Sequence, residues 1–275
     1  MIALLCATPR EASCLKHRLV QAQEIESPKS MRLFKGIIGR AEVLSLVAGV
    51  GKVAAAAAAR HLLDRFPLSA MINYGTAGAL SSLVKTGEVV IATELIPGDV
   101  GVVHSRGFKT TGPGVHENGK LVFEPGYSVD SSLMEMAREV AVDAGLPHHS
   151  GRIVTCDQVV LDPELRVQLG ESFDAIAVEM EGAAGAQVCE EEPLPYIAVR
   201  AISDELAHDF VGLEKLLPSR GQSRASLWGK RFLHTATHPS TVKKARELSD
   251  GLEMALRSLS VYIPALAGRL SLAYP

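Results

Sequence analysis

Short, almost wholly apolar runs alternate along this chain with segments of helical period, and that alternation constrains its fold more than any other feature. Met1–Ala7, Arg32–Ile38, Glu42–Val47, "LSAMINYGTAGAL", Gly87–Ile96, "SGRIVTCDQVV", "FDAIAVE" and "PYIAVRAISD" read as strands. A strand with one wet face would alternate polar and apolar residues, so near-continuous apolar strands belong to a sheet covered on both sides. Between them, "GKVAAAAAARHLLDRF" (51–66), "SSLMEMAREVAVDAG", "PELRVQLG" and "GAAGAQVCEEE" carry helix-forming residues at helical spacing. The pattern predicts an α/β fold with a twisted, mixed central β-sheet wrapped by helices. No repeat or low-complexity linker divides the 275 residues. One domain over 1–275 is expected, with a basic C-terminal extension at about 206–275.

Local signals refine this outline. Thr8 and Pro9 are expected to cap and open a helix reaching about Leu19. The strand before Gly75 is expected to end in a glycine-bearing turn, and 98–128, rich in Gly, Pro and His, reads as a long loop or hairpin excursion. "STVKKARELSDGLEMALRSL" reads as a last helix.

Several function classes are excluded or disfavoured. A net charge of -3 argues against a general nucleic-acid binder. The four cysteines form no CxxC and read as reduced thiols of a cytoplasmic protein. The histidines form neither HExxH nor a three-ligand cluster, so neither a metal nor another cofactor is expected. "GVGKVAAA" (49–56) lacks the phosphate-loop spacing, since Val53 follows Lys52 and Leu46 stands where the first glycine belongs. No G-x-S-x-G elbow is present. The apolar start stops at Thr8–Pro9, too short for a signal peptide, and no segment reaches the roughly 20 apolar residues of a membrane span. From Lys215 to Arg246 there are eight Lys or Arg and no acid. This stretch reads either as a solvated connection or as an anion- or membrane-surface patch with Leu227, Trp228, Phe232 and Leu233 as apolar partners.

The carboxylates carry the chemistry. "AVEMEGAA" (177–184) drives Glu179 and Glu181 into the end of a buried strand, where a desolvated carboxylate is costly unless paired or kept for a reaction. Glu11 follows the first strand, and Asp204 ends "YIAVRAISD" after Arg200 and Ser203. Four acids at the ends of three strands converge on one crevice if the sheet is as described.

In this order and spacing, "SLVAGVGKVAAA", "INYGTAGAL", "IAVEMEGAA" and "AVRAISD" resemble the purine nucleoside phosphorylase/uridine phosphorylase superfamily, and within it the methylthioadenosine/S-adenosylhomocysteine nucleosidases. The resemblance covers about residues 1–205, with 98–128 poorly matched. It implies that Glu181 holds the ribose 2′- and 3′-hydroxyls with Met180 against the sugar. It further implies that Asp204 is the acid at purine N7 and that Glu11 activates the attacking water. Thr76, Arg200 and Ser203 would support the water and the acid, and Glu179 would line the sugar site. Val159 stands where these nucleosidases stack an aromatic residue on adenine, beside Val160, so stacking must come from elsewhere. Thr8 replaces a methionine near the sugar.

The chemistry suits these residue types in its own right. Breaking a ribosyl C–N bond builds positive charge on the sugar while electrons flow into the base; a carboxylate on the diol favours that charge. One acid protonates the leaving base and a second carboxylate takes the proton from water. The phosphorylases of the superfamily hold phosphate with an arginine at the start of the glycine motif. Asn73 stands there, and Glu11 would repel a phosphate, so both favour hydrolysis. The expected function is release of adenine from a 5′-substituted adenosine: methylthioadenosine, S-adenosylhomocysteine, or an adenosyl-lipid as in the hopanoid-associated nucleosidases, which the long basic tail resembles. A phosphate-dependent phosphorylase and a non-catalytic nucleoside-binding protein are the alternatives. The partners expected are a small purine nucleoside and further copies of the chain in a homo-oligomer, with no nucleic acid; on the membrane-patch reading the 215–246 segment adds a peripheral membrane contact.

Overall fold

Strands β1 (Ile2–Cys6), β4 (Ala41–Val47) and β5 (Ala70–Ala79) lie parallel at the centre of the computed structural model, which describes residues 1–105, 107–216 and 239–273. β3 (Arg32–Ile38) extends one edge antiparallel to β4, and β2 (Val20–Ile25) lies antiparallel on β3. On the other side stand β6 (Val89–Pro97), β12 (His148–Thr155), β13 (Ala175–Glu179) and β14 (Tyr196–Asp204). β5 pairs with both β13 and β14, β14 with β6, β6 with β12, and β12 with β13. The mixed sheet thus closes part of itself into a ring of five strands, with a short β11 (Tyr127–Ser128) on β6.

Helices cover both faces, as continuous apolar strands require. α2 (Lys52–Arg65) and α5 (Gly182–Glu191) pack on one face through small residues such as Ala58, Ala59, Ala183 and Ala186. α3 (Ser131–Asp143) and the long α6 (Pro239–Ala273) cover the other, burying Leu133, Ala137, Leu259, Tyr262 and Leu266. The Tyr262 hydroxyl, fully enclosed, donates to the Ala137 carbonyl at 2.7 Å. α1 (Pro9–Ala12) and α4 (Pro163–Phe173) stand near the strand ends. The 98–128 excursion is two hairpins, β7–β8 (Gly101–His104, Gly107–Thr110) and β9–β10 (Gly114–Glu117, Lys120–Phe123).

The structure corrects the outline at three places. The first helix does not reach Leu19: α1 ends at Ala12, passes into a 3-10 turn over Ser13–Leu15, and the chain then forms β2. β2 escaped the sequence because an edge strand with mostly exposed residues, "VQAQEI", carries no apolar run. β5 does not end before its glycines but runs through Gly75–Gly78, because β14 pairs with it along that length. Residues 217–238, with much of the basic run and Leu227, Trp228, Phe232 and Leu233, lie outside the described residues. No helix among the described residues is long and apolar enough to cross a membrane.

Candidate functional site

The ends of β5, β13 and β14, closed against one another by the ring, form the floor of a cavity of about 300 Å³. Its walls come from the loop after β1, the turn before α2, the loop after β12, and α6.

β13 delivers the two carboxylates that the sequence made conspicuous, and their surroundings differ. Glu179 is buried and serves the protein: it accepts from the Glu181 and Gly182 amides at 2.9 and 2.8 Å and from the Thr155 hydroxyl at 2.5 Å. The Arg200 guanidinium donates to it through Nε at 3.2 Å and through Nη2. An acid on the first amides of α5 also complements the helix dipole. Glu181, by contrast, accepts one hydrogen bond among the described residues, from the Gly51 amide at 2.8 Å. Burial, and then the charge of Glu179, pushes Glu181 up to about 7. Its remaining acceptor positions face the cavity, beside Met180.

Gly51 can make that contact because it sits at φ 98°, ψ 164°, a backbone state essentially reserved for glycine. It caps α2, whose first residue is locked in place: the Lys52 amide donates to Asp157 at 2.9 Å, and its ammonium pairs with Asp99.

Glu11 is held at both oxygens. Oε2 accepts from the Thr8 amide and hydroxyl, each at 2.9 Å, and Oε1 from the Thr76 amide at 2.9 Å. Thr8 and Glu11 form a reciprocal capping box on α1, so the short helix aims the carboxylate into the cavity. Gly75 leaves the room: a Cβ there would stand 2.6 Å from Glu11 Oε1.

At the far end, Asp204 and Ser203 both line the cavity although they are neighbours on a strand. A register shift between Ile202 and Asp204 in the β14–β5 ladder makes this possible, since a bulge re-aims a side chain. Ser203 Oγ lies 2.6 Å from Asp204 Oδ1 and 3.2 Å from the Ala77 carbonyl oxygen.

The cavity therefore gathers Glu11, Thr76, Val159, Val160, Glu179, Met180, Glu181, Ser203 and Asp204. Arg200 is the exception. Expected beside the water and the acid, it lies beneath the floor, 1 % exposed, bonded to Glu179 and to the Asn73 carbonyl and side-chain oxygens at 3.0 and 2.7 Å. Its role is to neutralise Glu179. Val159 is 63 % exposed and sits at the rim. An aromatic residue from elsewhere, Phe210, is buried and lines the cavity. An aromatic residue closing the acid-rich "DELAHDF" was the available signal. Arg166 on α4 and Leu248 and Leu252 on α6 also line the cavity and were not anticipated. Among the described residues no group of three or more His, Cys, Asp or Glu is arranged to hold a metal.

Comparison with known proteins agrees with this geometry. Residues 1–218 match the family model described as the phosphorylase superfamily. A 5′-methylthioadenosine/S-adenosylhomocysteine nucleosidase of Bacillus cytotoxicus is 34% identical over 206 residues, 74% of this chain and 85% of that protein. Among solved structures, the nucleosidase of that name from Neisseria meningitidis, in complex with methylthio-immucillin-A, superposes with a TM-score of 0.72 at 23% identity, covering 96% of this chain and 97% of that one. Futalosine hydrolase of Helicobacter pylori gives 0.73 at 22% identity, with 97% of each chain covered. By its sequence over most of its length, and by its fold, the chain belongs to the phosphorylase superfamily.

Proposed function

We propose that the protein is an N-ribosyl hydrolase that releases adenine from a 5′-substituted adenosine. The observation that carries this reading is the unequal use of the two strand-end acids: Glu179 is saturated by protein donors while Glu181, half-buried beside it, keeps its acceptors for a ligand. A ribose diol supplies the two donors that such a carboxylate lacks. With the sugar there, Asp204 meets the base and Glu11 the opposite side of the anomeric carbon. As the C1′–N9 electron pair moves onto the base, Asp204 gives its proton to N7. The water oxygen bonds C1′ and its proton passes to Glu11. The nucleosidase names of the relatives support the same reading.

Water is favoured over phosphate because the cavity's lining cation among the described residues, Arg166, is already paired with Asp204. Asn73 is buried against Arg200 and offers phosphate no charge. The apolar rim of Val50, Val159, Leu248 and Leu252 suits an uncharged 5′ substituent such as methylthio or a lipid chain. The four free, buried cysteines support a cytoplasmic setting. The hairpins turn Val102, Val103, Leu121 and Phe123 to solvent, which supports a homo-oligomer.

The test is product analysis on methylthioadenosine, S-adenosylhomocysteine and adenosine, with and without phosphate. Adenine and free sugar, formed regardless of phosphate, are expected; a sugar 1-phosphate made only with phosphate would establish the phosphorylase instead. Asp204→Asn and Glu11→Gln should each lower kcat about 10²–10⁴-fold. Adenine binding without turnover in the wild type would point to a binding protein.

A further inference from the structure

α4 is oriented against its own sequence. Leu165 and Val167 are 52 % and 39 % exposed, while Arg166 between them is 2 % exposed and is the buried residue of the helix. Burying a guanidinium carries a large desolvation cost, and well-packed apolar residues at such positions are often no less stable. Stability alone does not call for this arginine.

Its contacts say what it does there. Nε donates to the Val160 carbonyl at 2.8 Å and Nη1 to the Glu205 carbonyl at 3.2 Å. Nη1 also lies 2.6 Å from Asp204 Oδ2, with both side chains buried. The guanidinium carbon stands 5.8 Å from the centre of the Phe210 ring. One side chain therefore ties together the loop after β12, the end of β14 and the aromatic wall, all at the base end of the cavity. With Arg166 on Oδ2 and Ser203 on Oδ1, the carboxyl group of Asp204 is gripped on both sides.

We propose that Arg166 is a positioning residue for Asp204, fixing the plane of its carboxyl group against the leaving base and receiving the negative charge left when the proton departs. This rests on the nucleosidase reading above. Donation to N7 converts Asp204 to a carboxylate at the moment the glycosidic bond breaks. A guanidinium already in place stabilises that charge without reorganisation. Ser203 fits the same cycle: its hydroxyl can donate to the ionised carboxylate, or accept from the protonated one and turn to the Ala77 carbonyl.

The experiment is a double-mutant cycle on adenine release from methylthioadenosine, with Arg166→Gln, Asp204→Asn and the pair. If Arg166 acts through Asp204, Arg166→Gln lowers kcat about tenfold to a hundredfold with KM within about threefold, Arg166→Lys recovers part of the loss, and the pair is no slower than Asp204→Asn alone. Additive losses, or an unchanged kcat in Arg166→Gln, would overturn the proposal. Should Arg166→Gln be insoluble, Arg166→Lys replaces it in the cycle, with the same two criteria. Adenine binding by calorimetry separates this proposal from the nucleosidase reading. A wild type that binds adenine but releases none sinks the hydrolase, and the cycle is then read on adenine affinity: loss confined to the Asp204 background keeps the pair, and none rejects it.

Discussion

Between Glu179 and Glu181 the chain leaves a strand and enters a helix, and the two carboxylates consequently meet different atoms: helix amides and Arg200 for the first, a single glycine amide for the second. The cost falls on Glu181, which burial and then Glu179 push up to about 7. A carboxyl raised in the folded chain destabilises the fold as pH climbs from its ordinary value of 4.5 towards about 7, because the unfolded chain releases its proton first; above that the loss is complete. Glu181→Gln should therefore match the wild type in stability near pH 4 and exceed it by about 1–3 kcal/mol near pH 8, measured by urea unfolding at both pH values. Equal stability at pH 8 would mean that Glu181 ionises freely. The same substitution should abolish most turnover, since an amide holds a diol poorly. In the wild type the fall of kcat/KM on the acid side should begin near pH 7 and reach about tenfold by pH 6.

At the scale of elements, the turn before α2 couples a backbone state to this carboxylate. Gly51→Ala places a side chain at φ 98° and brings its Cβ to 3.1 Å from Asp157 Oδ1, so the turn must shift and take the Glu181 donor with it. A loss of about 1–3 kcal/mol and a higher KM are expected, read by thermal melting and steady-state kinetics. An unchanged KM would show that the Gly51 amide does not set Glu181. Most of these elements were legible in the sequence, because buried strands and Ala-rich helices carry strong periodic signals: β1, β3, β4, β6, α2, α3 and α5 fall close to where the residues put them. Edge strand β2 was not legible, since exposed strand residues have no apolar signature. The continuation of β5 through its glycines depends on pairing with β14, some 120 residues away, which local sequence does not encode. The same limit applied to the site. The strand-end acids stood out individually, whereas the inward turn of Arg166 and the retreat of Arg200 beneath the floor are set by tertiary packing.

For the whole molecule, the family match ends at residue 218 but the core does not. α6 contributes Leu259, Tyr262, Ile263, Leu266 and Leu270, each fully buried against strands and α3. At roughly 1.5–3 kcal/mol per side chain, these five rival the entire net stability of a domain, about 5–15 kcal/mol. A chain ending at Leu216 should lose cooperative thermal unfolding and accumulate as insoluble protein. A soluble, cooperatively melting fragment would mean that α6 is an appendage. The ring of strands has an evolutionary consequence as well. Thr76, Ser203 and Asp204 ride on strands locked in one hydrogen-bonded circuit, with Glu181 just past the end of a third, whereas Val50, Val159, Leu248 and Leu252 sit on turns and a helix outside it. On the function proposed above, mutation can therefore remodel the rim and change which 5′ group is accepted while the bond-breaking apparatus stays intact, so descendants of such a chain can exchange substrates without passing through an inactive intermediate.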